Sequence, residues 1–137
     1  MQRQFYIKEP AKKVKLCDPK AVGEHFKSLK NADQESFWII SLNSKNAVLA
    51  TDMISLGGVN HSVVDMKILF RRVLQAGATA FLTLHNHPSE STSFSSADIQ
   101  VTGKIAQFAQ MIDLCFHDHL LVAGNDIISA KEQGILK

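Results

Sequence analysis

Residues Ala78–Asp98 read ATAFLTLHNHPSESTSFSSAD, and the rest of the chain is understood from them outward. The apolar run Ala80 to Leu84 predicts a buried strand that delivers His85 and His87 at its end. Side chains alternate along a strand, so two histidines at i and i+2 project from one face and can approach one ion. A polar loop follows, and Ser95 is placed to cap a helix whose first turn holds Asp98. Two neutral imidazoles and one carboxylate leave a tetrahedral Zn²⁺ with an open fourth position, the pattern of a catalytic rather than a structural site.

Upstream of this stretch, Met66, Leu69, Phe70, Val73 and Leu74 recur at helical spacing, and Gly77 is placed to end that helix. Before it, ESFWIISLN (35–43) and Ala47 to Ile54 are rich in aromatic and β-branched residues and predict a hairpin turning at Asn43 to Asn46. Asp18-Pro19 predicts a helix start, with Val22, Phe26 and Leu29 on one face and an end near Asn31. Residues 1–17 read as an extended lead-in, with an edge strand about Phe5 to Ile7, and 18–137 as a single domain. Downstream, a helix is expected from Ser96 to Asp113 with Val101, Ile105, Phe108 and Ile112 on one face. Two strands then follow, Leu114 to Val122 and Ile127 to Ser129, about the turn AGND. Strand, helix, strand with hairpins on either side implies a mixed sheet covered by helices, an α/β architecture.

Bulk properties narrow the function classes. A chain of 137 residues, 45% hydrophobic and 20% charged, suits one globular domain that needs no disulfide. Its net charge of +2 does not by itself indicate nucleic acid. Arg3, Lys8, Lys12, Lys13 and Lys15 do cluster at the start. Cys17 and Cys115 share no CxxC or Cys/His spacing, which favours a reducing compartment. No apolar run reaches membrane-spanning length and the first residues lack the apolar core of a signal peptide, so a cytoplasmic protein is expected, with no membrane partner.

The pattern HxH, seven residues, then SxxD is complete at His85, His87, Ser95 and Asp98. It resembles the JAMM motif of MPN-type metallopeptidases, and most closely the RadC-like branch, whose loop usually reads HNHPSG followed by a PSxxD-like ending. QESFWIISLNSKNAVLATDMISLGG and DHLLVAGNDIISAKEQGIL also resemble RadC-like segments, so the likeness covers roughly residues 30–137. The resemblance implies a three-layer MPN/JAB domain, cytidine-deaminase-like, with a mixed sheet flanked by helices. It implies zinc on His85, His87 and Asp98, with Glu35 as general base and acid. It also implies that Ser95 steadies the water or the oxyanion. A carboxylate beside an activated water can take its proton and pass it to a leaving amine. Three places depart from the family pattern: Glu90 stands where Gly is usual, Thr92-Ser93-Phe94 replaces the proline-bearing loop, and Asp65-Met66-Lys67-Ile68 replaces an HPRE-like segment.

Competing motifs fail on their own residues. An HNH nuclease disperses its residues over a ββα unit rather than in three consecutive positions. The metallo-β-lactamase pattern HxHxDH fails at Pro88-Ser89-Glu90, and zinc deaminases need HxE with PCxxC. His25 and His61 read as ordinary surface histidines. His117 and His119 form a second HxH without a following acid and are assigned packing or hydrogen bonding, with Asp113 and Asp118 as carboxylates that could orient a ligand histidine. Two functions follow. The first is a zinc-dependent hydrolase of an amide bond, a peptidase or isopeptidase acting on a peptide or protein. The alternative is an accessory or binding module in DNA repair or DNA metabolism, metal-binding without turnover, as the RadC resemblance implies.

Overall fold

A single asparagine closes the first hairpin. In the computed structural model, which describes Val22, Phe26 and residues 34–56, 64–89 and 91–136, Asn43 Oδ1 accepts from the N–H groups of Lys45 at 2.8 Å and Ala47 at 3.0 Å. Asn46 takes φ 62°, a left-handed conformation that asparagine tolerates better than most residues. This turn joins β1 (Ser36–Leu42) to β2 (Val48–Leu56), as the pattern of aromatic and β-branched residues predicts.

Helix α1 (Met66–Gln75) begins at Asp65, whose carboxylate accepts from Lys67 N–H at 2.8 Å. It ends in a Schellman arrangement. Gly77, at φ 73°, donates to Leu74 O, and Ala78 donates to Val73 O. The expectation for Gly77 therefore holds. Strand β3 (Ala80–Asn86) is buried along its whole length. Helix α2 (Ser96–Met111) then leads to β4 (Cys115–Ala123) and β5 (Asp126–Ser129).

The five strands form one mixed sheet in the order β2-β1-β3-β4-β5. Only the β3–β4 pair is parallel, which is what a helical crossover between them requires. Alternation along β3 divides the core. Ala80, Leu82 and Leu84 pack with Ile40, Leu42, Leu120, Val122, Val22 and Phe26 on one face. Phe81 packs on the other with Phe37, Ile39, Leu69, Val73, Val101 and Ile105, so both described helices cover that face. Phe26 N–H donates to Val22 O at 3.0 Å, one helical bond of the predicted Asp18–Asn31 helix. The rest of that helix, the lead-in 1–17 with its basic residues, Cys17, His25 and His61 lie outside the described residues.

Two corrections concern α2. It stops at Met111 rather than Asp113, and its buried stripe is Asp98, Val101, Thr102, Ile105 and Ala109. Phe108 and Ile112 are exposed, because small Ala109 is the residue that sits against the sheet. Leu74 of α1 is likewise exposed, beyond the edge of its buried pair Leu69 and Val73. Among the described residues no helix is long and apolar enough to cross a membrane.

Candidate metal centre

His85 belongs to the helix-covered face of β3, two residues beyond Thr83 and four beyond Phe81. His87 follows immediately, its backbone N–H donating to Val122 O at 2.9 Å and so continuing the pairing with β4. The two Nε2 atoms are 3.0 Å apart. Asp98 enters from the N-terminal turn of α2, with Oδ1 3.3 Å from His85 Nε2 and Oδ2 3.4 Å from His87 Nε2. The three residues offer one ligand atom each, all within 4.8 Å of one another, and His85 and Asp98 are buried. They could hold a metal ion.

The carboxylate is aimed by the helix start itself. Ser95 Oγ accepts from Asp98 N–H at 3.0 Å and Asp98 Oδ2 accepts from Ser95 N–H at 2.8 Å, a reciprocal capping box. Ser95 is thus the N-cap that its position predicted. Burial would push the Asp98 carboxyl up, but the His85 and His87 imidazoles and the Ser95 N–H outweigh it and hold the group ionised well below the usual carboxylate range. His87 is drawn above its ordinary value by the Asp98 carboxylate first, against its own burial, with help from Ser91 O and the charge of Glu35.

Glu35 stands just before β1. Register pairs Phe37 with His85, so the chain two residues earlier runs beside His87. One carboxylate oxygen of Glu35 is sequestered from solvent, and its charge is felt at His87. What holds this segment is Asn86, between the two histidines but on the opposite face. Its Oδ1 accepts from Ser36 N–H and Ser36 Oγ, and its Nδ2 donates to Gln34 O at 3.0 Å. Sequence reading passed over Asn86, although a buried amide at a strand end needs partners for all its polar atoms.

The other ring nitrogens of the histidines are occupied. His87 Nδ1 lies 2.9 Å from Ser91 O, and a carbonyl can only accept, so the proton of neutral His87 sits on Nδ1 and Nε2 is left with its lone pair. His85 Nδ1 lies 2.7 Å from His119 Nε2, and His119 Nδ1 lies 2.6 Å from Thr83 Oγ1. Phe37 stacks on both His85 and His119, and Phe94 tilts against the same two rings from the loop. Phe94, one of the departures from the family loop, therefore supplies an apolar wall, while Glu90 lies outside the described residues.

The hydrogen-bonding role expected of His119 is borne out, but Asp113 and Asp118, read as carboxylates that could orient a ligand histidine, lie elsewhere. Asp113 is exposed at φ 58° in the turn after α2. Asp118 pairs with Leu82, on the far face of the sheet, and binds Ser129 Oγ, Lys131 N–H and its neighbour's N–H. The reason is a bulge. Phe81 pairs with Phe116 but Leu82 pairs with Asp118, leaving His117 as an extra residue. Alternation breaks there, and His117 turns to Asn46 Oδ1 at 2.9 Å, away from the candidate centre.

Residues 16–135 match the RadC-like JAB domain. A UPF0758 protein of Finegoldia magna is 30% identical over 95% of this chain and 59% of its own length. One from Listeria innocua is 34% identical over 97% of the chain and 56% of its own length. One from Desulfitobacterium hafniense is 38% identical over 76% of the chain and 46% of its own length. The chain spans about half the length of these curated relatives.

Proposed function

The chain belongs to the RadC-like JAB domain family, and from that premise we propose that it is a zinc-dependent hydrolase of an amide bond, of metallopeptidase or isopeptidase type. The observation that carries this reading is the convergence of His85 Nε2, His87 Nε2 and the Asp98 carboxylate within 4.8 Å of one another, in a family that is typically hydrolytic. The donor set fits the ion. Two imidazoles with occupied Nδ1 atoms and one carboxylate held ionised leave room for water and substrate. Zinc bound there supplies Lewis acidity, polarising a carbonyl and lowering the pKa of a water toward about 7.

The protein's own residues would do the rest. Glu35 takes the proton from the attacking water on its carboxylate and returns it to the leaving nitrogen. Ser95 Oγ accepts from Asp98 N–H and retains its own proton, which it can donate to the developing oxyanion. Phe37 and Phe94 keep the rear of the site apolar. Strand β2 lies at the edge of the sheet, and its Leu56 end pairs with Ser36, beside Glu35. An extended peptide could add to that edge as a further strand and bring its amide to the site. A bound peptide found away from any strand edge would defeat this part of the reading.

The decisive test is elemental analysis of protein purified without added metal, followed by turnover of peptide and isopeptide substrates. About one zinc per chain is expected in the wild type, lost in His87→Ala and Asp98→Ala, with Glu35→Gln retaining zinc but losing turnover. A well-folded wild type that takes up no zinc overturns the hydrolase. Salt-dependent DNA binding untouched by Glu35→Gln and weakened by neutralising the basic N-terminal residues would support the accessory module instead.

A further inference from the structure

Behind the candidate centre lie two buried side chains, Thr83 and His119, that no part of the proposed chemistry uses. Thr83 and His119 are cross-strand partners on β3 and β4. Thr83 and His85 are 0% exposed and His119 is 1% exposed. The contacts run from Thr83 Oγ1 to His119 Nδ1 at 2.6 Å, and from His119 Nε2 to His85 Nδ1 at 2.7 Å. The far nitrogen of His85 faces Asp98 and His87.

Along the Thr83–His119–His85 contacts the protons can be ordered in two self-consistent ways, because each neutral imidazole carries one N–H and one lone pair. In one, Thr83 O–H donates to His119, His119 Nε2–H donates to His85 Nδ1, and His85 Nε2–H points to Asp98. In the other, His85 Nδ1–H donates to His119 Nε2, and His119 Nδ1–H donates to Thr83 Oγ1. Only the second leaves a lone pair on His85 Nε2. His87 has no such choice, because its partner is a carbonyl.

We infer that His119, with Thr83 behind it, is the positioning residue that holds His85 in the tautomer able to ligate a metal through Nε2. This rests on the reading of His85 as a ligand. His119 acts as a neutral acceptor where metal sites commonly use a carboxylate or a backbone carbonyl. A buried neutral acceptor adds no further negative charge beside Asp98 and Glu35, and the Phe37 ring stacked on both imidazoles, 6.3 Å from His85 and 5.5 Å from His119, fixes their planes. Thr83 completes the device, since without an acceptor the His119 Nδ1–H would be buried unsatisfied in the metal-competent order.

The test measures zinc affinity by competition with a chelator, independently of turnover. His119→Leu is expected to weaken zinc binding by about 10- to 100-fold. His119→Gln, whose amide oxygen can reach the position of Nε2, should restore most of it. Thr83→Val, nearly isosteric and suited to a strand, keeps the test decisive if His119→Leu fails to fold, and should weaken binding by a smaller factor. Long-range ¹H–¹⁵N spectra of the zinc-loaded wild type should place the His119 proton on Nδ1. Zinc affinity unchanged in His119→Leu and Thr83→Val, or a His119 proton on Nε2 in the loaded protein, overturns the inference while leaving the metal site standing. A wild type that binds no zinc overturns both.

Discussion

Asn86 Oδ1 receives two hydrogen bonds from Ser36, from its backbone N–H at 2.8 Å and from its hydroxyl at 2.9 Å. The same hydroxyl accepts from Trp38 Nε1 at 2.9 Å, and Asn86 Nδ2 reaches across to Gln34 O. These contacts tie the residues on either side of Glu35 to the residue between His85 and His87. The histidines and the proposed base therefore share one support on two adjacent strands.

Asn86→Ala leaves the buried donors of Ser36 without that acceptor, which should destabilise the fold by about 2 kcal/mol in urea unfolding. Its effect on function should be selective. Asn86 lies on the opposite face from His85 and His87, so zinc content should persist while turnover falls because Glu35 is no longer held. Zinc and turnover lost in proportion would show instead that Asn86 supports the ligand histidines rather than the base.

Ser95 has two assigned tasks, and they separate by comparing two variants. As an N-cap, Ser95→Ala should cost about 1 kcal/mol of stability, whereas Ser95→Gly should cost only a few tenths. Both remove the same hydroxyl. If that hydroxyl also donates to the reacting oxygen, turnover falls equally in the two variants although their stabilities differ. Turnover that tracks the unfolding midpoints would leave Ser95 as a cap alone.

Local rules sufficed where one residue determines one geometry. Asn43, Gly77 and Ser95 each act through their own backbone or a neighbour's, and their turn, stop and cap stand in the structure as read. The convergence of His85, His87 and Asp98 was legible because strand alternation and a helix cap are both short-range. What escaped depends on partners distant in sequence. The bulge at His117 that turns His119 toward His85 arises from register with β3, and the buried stripe of α2 depends on which side chain fits against the sheet. Periodicity alone placed Phe108 and Ile112 on the buried face. Accordingly Ile105→Ala, at a position with 0% exposure, should cost about 2–5 kcal/mol. Ile112→Ala should stay within about 0.5 kcal/mol in the same denaturation measurement. Equal costs would restore the stripe expected from sequence.

His117 supplies a pH dependence that is independent of any metal. Its Nε2 lies 2.9 Å from Asn46 Oδ1, so the neutral ring carries its proton there, and Nδ1 faces Cys115 Sγ at 3.4 Å. Burial, and then the charge of Lys131, push the ring below its ordinary value of 6.5, with Asp118 opposing them. A folded-state value below the unfolded one means that the unfolded chain binds more protons in the interval between them. The contribution is therefore fully present above about pH 6.5, and it is lost as pH falls through the depressed folded value. His117→Gln keeps an amide donor for Asn46 but does not titrate. Urea midpoints measured from pH 8 down to pH 5 should fall more steeply for the wild type than for His117→Gln. The gap should open below pH 6.5. Parallel profiles would mean that the bulge imidazole can take up its proton inside the fold, and that the hairpin turn at Asn46 accommodates the charge.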